Sequence, residues 1–161
     1  MTVQEYNQCV ELYADRVYRF IVKNMKNTVD AQDVVQNAFE ILWKNYQGVS
    51  YEKSRSYLFT VAYHNMIDQF RKKKFDSDIT EEHEQMQGSG YQFSGAKDAV
   101  ELGLKRLPEI QRTVVLLRDY EGYSYEEIGE VTGLNESQVK VYIFRARQAL
   151  KNFLVSAENA I

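Results

Sequence analysis

Apolar residues along this chain recur mostly at helical intervals, with little of the strict alternation that marks strands. Tyr6, Val10, Tyr13, Val17 and Ile21 predict a first helix running to about Met25. Asp30 reads as the N-cap of a second helix, and Asp33 adds a favourable negative charge to its first turn. That helix has two faces. Val34, Ala38, Ile41 and Leu42 form an apolar stripe, and Asp33, Gln36, Asn37, Glu40 and Lys44 form a polar one. Gln47, Gly48, Val49 and Ser50 break the pattern. A third helix follows over residues 55–74, apolar on most sides, and ends in four consecutive cations from Arg71 to Lys74.

The C-terminal third is punctuated more sharply. Pro108 suits the first turn of a helix carrying Val114, Val115 and Leu117, and Gly122 ends it. Ser124 and Glu127 form a capping box that opens a short helix, and Gly133 suits the left-handed position after its end. Asn135 and Gln138 form a second capping box that opens the last helix. Two helices, a tight glycine turn and a fresh capped start predict a helix-turn-helix. Residues 75–95 carry three glycines, five acids and no aliphatic stripe, which predicts a flexible acidic linker. The expected fold is therefore all-α. Two small helical domains, residues 1–74 and 98–161, flank a linker over residues 75–97, which should let them move relative to each other.

Composition narrows the functional classes. A chain of 161 residues with 44% hydrophobic and 27% charged residues has material for a core. No stretch approaches the roughly 20 apolar residues that span a bilayer. Met1 to Glu5 shows no basic region followed by an apolar run, so membrane insertion and secretion are not expected, and the cytoplasm is the default address. Cys9 is the single cysteine and shares no metal-ligand spacing with His64 or His83. With no phosphate-cradling glycine loop either, an enzyme is not expected, and His64 reads as structural.

The last helix carries the DNA-reading chemistry. Val139, Ile143, Ala146 and Leu150 share one face and should be buried. Lys140, Phe144, Arg147 and Lys151 form another stripe, flanked by Val141, Arg145 and Gln148. Residues 136–151 hold four cations against one acid. A solvated basic helix face is the plain alternative. The capped helix and glycine turn before it favour a recognition helix that offers donors to phosphates and base edges. The overall charge of −3 runs against binding by bulk attraction alone.

Two motifs resemble those of bacterial sigma-70 family factors of the short extracytoplasmic-function (ECF) type. Asp30-Ala-Gln-Asp-Val-Val-Gln-Asn-Ala-Phe-Glu-Ile-Leu-Trp43 resembles region 2, which binds core RNA polymerase. The stretch from Leu107-Pro-Glu-Ile-Gln-Arg112 to Glu127-Ile-Gly129, continued by Val139-Lys-Val-Tyr-Ile-Phe-Arg-Ala-Arg147, resembles region 4, which binds the promoter's −35 element. The resemblance implies a transcription initiation factor whose partners are core RNA polymerase, promoter DNA and an anti-sigma factor, with no cofactor or small-molecule substrate. It places the polymerase contact on Asp33, Gln36, Asn37 and Glu40. It assigns reading and melting of the −10 element to the loop after the second helix and to the third helix, through Tyr51, Asn65, Asp68, Arg71, Lys72 and Lys73. Phe59, Tyr63 and Phe70 sit at helical spacing and read as core, which leaves Tyr51 as the stacking candidate or a plain surface tyrosine. Contacts to −35 DNA fall on Lys140, Val141, Phe144 and Arg145, with Arg112 and Arg147 on phosphates. Asn37 stands where the family usually has glutamate, Gly129 where alanine is common, and Val141 and Tyr142 where a Ser-Arg pair is common. The negative charge fits this reading, because polymerase supplies much of the grip on DNA. The alternative is a stand-alone helix-turn-helix regulator, which needs a dimer surface for paired half-sites; the sequence offers no heptad seam.

Overall fold

The computed structural model describes residues 1–80 and 95–159, and among them the regular structure is helical throughout. The order is α1 (Val3–Asn24), α2 (Thr28–Asn45), two single 3-10 turns, α3 (Ser54–Thr80), α4 (Ala96–Arg106), α5 (Glu109–Val115) extended by a π turn (Leu116–Tyr120), α6 (Tyr125–Thr132) and α7 (Glu136–Asn159). A capping box opens α1: the Thr2 hydroxyl accepts from the Glu5 amide at 3.1 Å, and the Glu5 carboxylate accepts from the Thr2 amide at 2.9 Å.

Three local expectations are corrected. The cap of α2 is Asn27, whose side-chain oxygen accepts from the amides of Val29 (2.9 Å) and Asp30 (3.2 Å). Asp30 lies inside the first turn, where its carboxylate receives the Lys73 ammonium from α3. Second, α3 continues through residues 75–80, so the expected linker begins within a helix. Third, α4 occupies residues where no helix was anticipated. The rest of the linker, residues 81–94, lies outside the described residues.

Helices α1–α3 enclose one core around Val17, Phe20, Ile21, Val34, Leu42, Leu58 and Met66, all at most 1% exposed. Helices α4–α7 enclose a second around Leu104, Val114, Leu117, Ile128, Val139 and Ile143. The two halves are packed directly on each other: α6 lies on α3, and α4 and α5 lie on α1.

An aromatic column crosses this seam. Phe20 packs on Phe59 (centroids 5.4 Å apart), and Phe59 meets the edge of Tyr123 at 5.3 Å. The Arg55 guanidinium lies over the Tyr123 ring at 4.2 Å. Beside the column, Glu121 is clasped by α1: Arg16 Nε donates to Oε1 at 3.1 Å and Arg19 Nη2 to Oε2 at 2.9 Å. Arg55 donates to the Glu121 carbonyl. The Glu121 side chain is 1% exposed, whereas the two α1 arginines remain partly solvated. A second point of attachment lies at the end of α1. There Arg112 donates to the side-chain oxygen of Asn24 (2.9 Å) and to its carbonyl (3.1 Å).

Two substitutions test this seam. The Tyr123 hydroxyl is buried without a hydrogen-bond partner among the described residues, and burial holds its phenol well above the usual range. Tyr123→Phe keeps the ring contacts and removes the orphaned hydroxyl, so it should raise stability by about 1 kcal/mol. Glu121→Ala leaves two arginines facing an apolar gap and should cost about 2 kcal/mol, less than for a fully buried pair because the arginines reach solvent. Urea unfolding of both variants beside the parent checks the two signs.

Candidate nucleic-acid and protein interfaces

Three faces hold the residues singled out in the sequence. On α2, Asp33, Gln36, Asn37 and Glu40 are all exposed. Their spacing of three and four puts them in one row. Val29, 62% exposed, lies one turn before Asp33. The opposite face of α2 buries Ala31, Val34, Ala38 and Leu42, so helix rotation is fixed and the polar row has to face outward.

On α3, Asp68, Arg71 and Lys72 are exposed and, with Phe75, line one open surface cleft. Asn65 is half-buried, and its amide nitrogen has no partner among the described residues. Lys73 points elsewhere, to Asp30 on α2. Phe59 and Tyr63 are buried and Phe70 is half-buried. Tyr51 is also half-buried and packs on the first core instead of standing free in the loop. The exposed aromatic surface beside that loop is Trp43, 46% exposed, stacked on Tyr46 at 5.1 Å with planes 16° apart and touched edge-on by Tyr6. Sequence reasoning missed this ledge. The signal was the three-residue spacing of Trp43 and Tyr46 across the end of α2.

The helix-turn-helix forms through the signals read in the sequence. Ser124 accepts from the Glu127 amide at 3.1 Å, and the Glu127 carboxylate accepts from the Ser124 amide at 3.0 Å. Gly133 has φ +81°. Asn135 accepts from the Gln138 amide at 2.8 Å, and the Gln138 side-chain oxygen accepts from the Asn135 amide at 3.0 Å. Val139, Ile143 and Ala146 face the core, leaving Lys140, Val141, Phe144 and Arg145 exposed together.

The two arginines expected on phosphates are engaged in this arrangement. Arg147 meets Asp119 through two bonds, of 3.1 and 2.5 Å, and this hydrogen-bonded partner raises its pKa further. Arg112 lies in the domain seam against Asn24, where burial lowers its pKa. Among the other polar side chains, His64 is exposed, with its ring edge-on to Tyr63. The Cys9 thiol is buried and donates to the Ser54 hydroxyl. His83 lies outside the described residues, and among those described no group of acids, histidines and cysteine has metal-binding geometry. No helix among them is long and apolar enough to cross a membrane.

Residues 9–75 match the Sigma-70 region 2 family, and residues 97–150 match Sigma-70, region 4. The chain belongs to the sigma-70 family. The ECF RNA polymerase sigma factor SigW of Bacillus subtilis is 29% identical over 161 aligned positions, covering 90% of this chain and 86% of SigW. In fold, the chain matches the sigma factor RpoE of Bartonella quintana, solved with the anti-sigma factor NepR. The TM-score is 0.80 at 22% identity, over 94% of this chain and 98% of RpoE. CnrH, solved with the cytosolic domain of CnrY, matches with a TM-score of 0.68 at 22% identity, over 94% of this chain and 88% of CnrH. The protein is thus an RNA polymerase sigma factor of the ECF type, a transcription initiation factor with both regions on one chain. The reading as a stand-alone regulator is not favoured.

In this sigma factor Gly129 has a steric role. A Cβ there would stand 2.7 Å from the carbonyl oxygen of Leu134, so the turn into α7 is closed over a missing methyl group. Gly129→Ala should force the backbone apart and cost about 1–3 kcal/mol. Thermal unfolding of the whole chain measures it; unchanged stability would mean that the turn yields freely.

Proposed function

We propose that the row Asp33, Gln36, Asn37 and Glu40 is the surface that grips core RNA polymerase, and that α3 and α7 read the two promoter elements. The observation that carries this is the exposed polar row on a helix whose rotation the core fixes, joined on one chain to a capped helix-turn-helix. Asp68, Arg71 and Lys72, with Asn65 beside them, face the −10 element. The Trp43–Tyr46 ledge is better placed than Tyr51 to stack on unpaired bases, a contact worth about 1–3 kcal/mol per base. Lys140, Val141, Phe144 and Arg145 enter the major groove at −35.

The parts that do this are the half built of α1–α3 and the half built of α4–α7, acting in the cytoplasm without covalent chemistry. The seam has a consequence for this division of labour. Arg112 reaches a phosphate only after it leaves Asn24, and α6 lies on the helix assigned to −10. Promoter engagement therefore requires the two halves to part. RpoE of Bartonella quintana was solved with an anti-sigma factor, and a protein of that kind is proposed as a partner here.

Run-off transcription with purified core polymerase and a promoter pool tests the assignment. Defined transcripts are expected; no initiation together with no binding to core overturns it. Replacing Asp33 and Gln36 with alanine should weaken core binding about tenfold or more, with helical content unchanged. Equal affinity would remove the polymerase contact from this face.

A further inference from the structure

The two halves close over a basic cleft that lies outside the three faces described above. Its volume is about 370 Å³, and it sits at the seam beside the contact of Arg112 with Asn24. Lys23 and Lys26 line it from the end of α1 and the turn that follows, Lys73 and Lys74 from α3, and Lys105 and Arg112 from α4 and α5. Glu109 is the single acid among its lining residues. Met25 and Phe70 give it an apolar wall.

Six cations against one carboxylate are an unbalanced set. Lys73 is shared with Asp30, and Lys23 lies over the Tyr120 ring at 4.0 Å. Lys26 and Lys74 have no ion-pair partner among the described residues. Burial lowers the pKa of Lys23 and of Arg112, so each has given up water without an acid that fully replaces it. Like charges gathered in a concave site raise the local potential and concentrate anions there. The whole chain carries −3, so this potential belongs to the cleft and not to the overall charge.

Size and charge decide the class of anion. The volume falls in the range of small-molecule pockets, about 300–1,000 Å³, and does not suit a macromolecular segment. A lone phosphate brings only about −1.5 to −2 at neutral pH, too little for this many cations. Linked phosphates deliver more charge over the same short span, and they present oxygens to lysine and arginine donors on both sides. We infer that the seam cleft binds a small anion of linked phosphates, inorganic or the phosphate chain of a nucleotide, held by Lys26 and Lys74 from one half and Lys105 and Arg112 from the other. The cleft exists only while the halves are together, so its ligand favours that arrangement by the free energy of binding. The inference stands on the seam and not on either promoter assignment.

Titration calorimetry of the full chain at physiological ionic strength, with inorganic tripolyphosphate and with ATP as probes, tests it. At least one probe should bind once per chain and raise the unfolding temperature. Tighter binding of ATP assigns the Met25 and Phe70 wall to its base, and equal or weaker binding assigns the site to the phosphates alone. The double variant Lys26→Ala, Lys74→Ala should weaken binding about tenfold, and Lys105→Ala about three- to fivefold. The double variant Lys44→Ala, Lys151→Ala removes as much charge from α2 and α7 and should bind as the parent does. All five lysines are exposed, so circular dichroism should show an unchanged fold. No saturable binding of either probe overturns the site, and equal loss in both double variants reduces it to bulk attraction. Loss with Lys26 and Lys74 but none with Lys105 overturns the bridge between halves. A random-sequence duplex that binds through Lys26 and Lys74, where neither small probe does, overturns the small-anion reading in favour of DNA.

Discussion

The clasp on Glu121 governs how the two halves of this sigma factor relate. Each half has at most 80 described residues, a size at which a single core is marginal. A carboxylate taken almost entirely out of water is tolerable only where cations meet it, and Arg16 and Arg19 supply them from the other half. The position of Glu121 follows from the turn that carries it. Its amide closes the π turn on the Leu116 carbonyl at 3.2 Å, and Gly122 next to it has φ +74°. The turn that ends the first part of region 4 is thus also the plug of the domain seam. Arg112 and Asn24 then fix the rotation about it.

What was legible in the sequence was local. The caps at Ser124 and Asn135, the left-handed Gly133 and the buried face of α7 all depend on residues within one or two turns of each other, and all formed as read. The polar row of α2 was equally visible, because an apolar stripe on the other face fixes its direction. Misreadings had physical causes. Asn27 and Asp30 are both good caps; Asn27 caps the helix, and the Asp30 carboxylate is instead met by Lys73, 43 residues later, a partner no local reading names. The extension of α3 past residue 74 has no apolar stripe to announce it. Helix α4 packs through Val100, Gly103 and Leu104, and because Gly103, set against Leu150 and Phe153, has no side chain, the sequence shows too little of that stripe to announce a helix.

The seam lay beyond any such reading. Arg16 and Glu121 are 105 residues apart, and nothing near either one names its partner. The same holds for Arg112, which carries the features of a phosphate ligand and in this arrangement binds a carbonyl at the end of α1. Tyr51 and Trp43 show the same limit from the other side. An aromatic residue in a loop suggests availability, yet Tyr51 is half-buried against the core, and the more exposed aromatic surface belongs to Trp43 at a helix end.

The chemistry of the clasp also sets the conditions under which the molecule works. Arg16 and Arg19 reach solvent, so their attraction for Glu121 is open to screening on the scale of the Debye length, about 8 Å at physiological ionic strength. Phosphate contacts weaken with the same variable, and more steeply as more of them form. Rising salt therefore weakens the solvent-reaching side of the clasp, and weakens phosphate contacts on the proposed DNA-reading faces as well. Because the seam also rests on the aromatic column of Phe20, Phe59 and Tyr123, which salt does not screen, high ionic strength loosens the clasp without removing the packing beneath it.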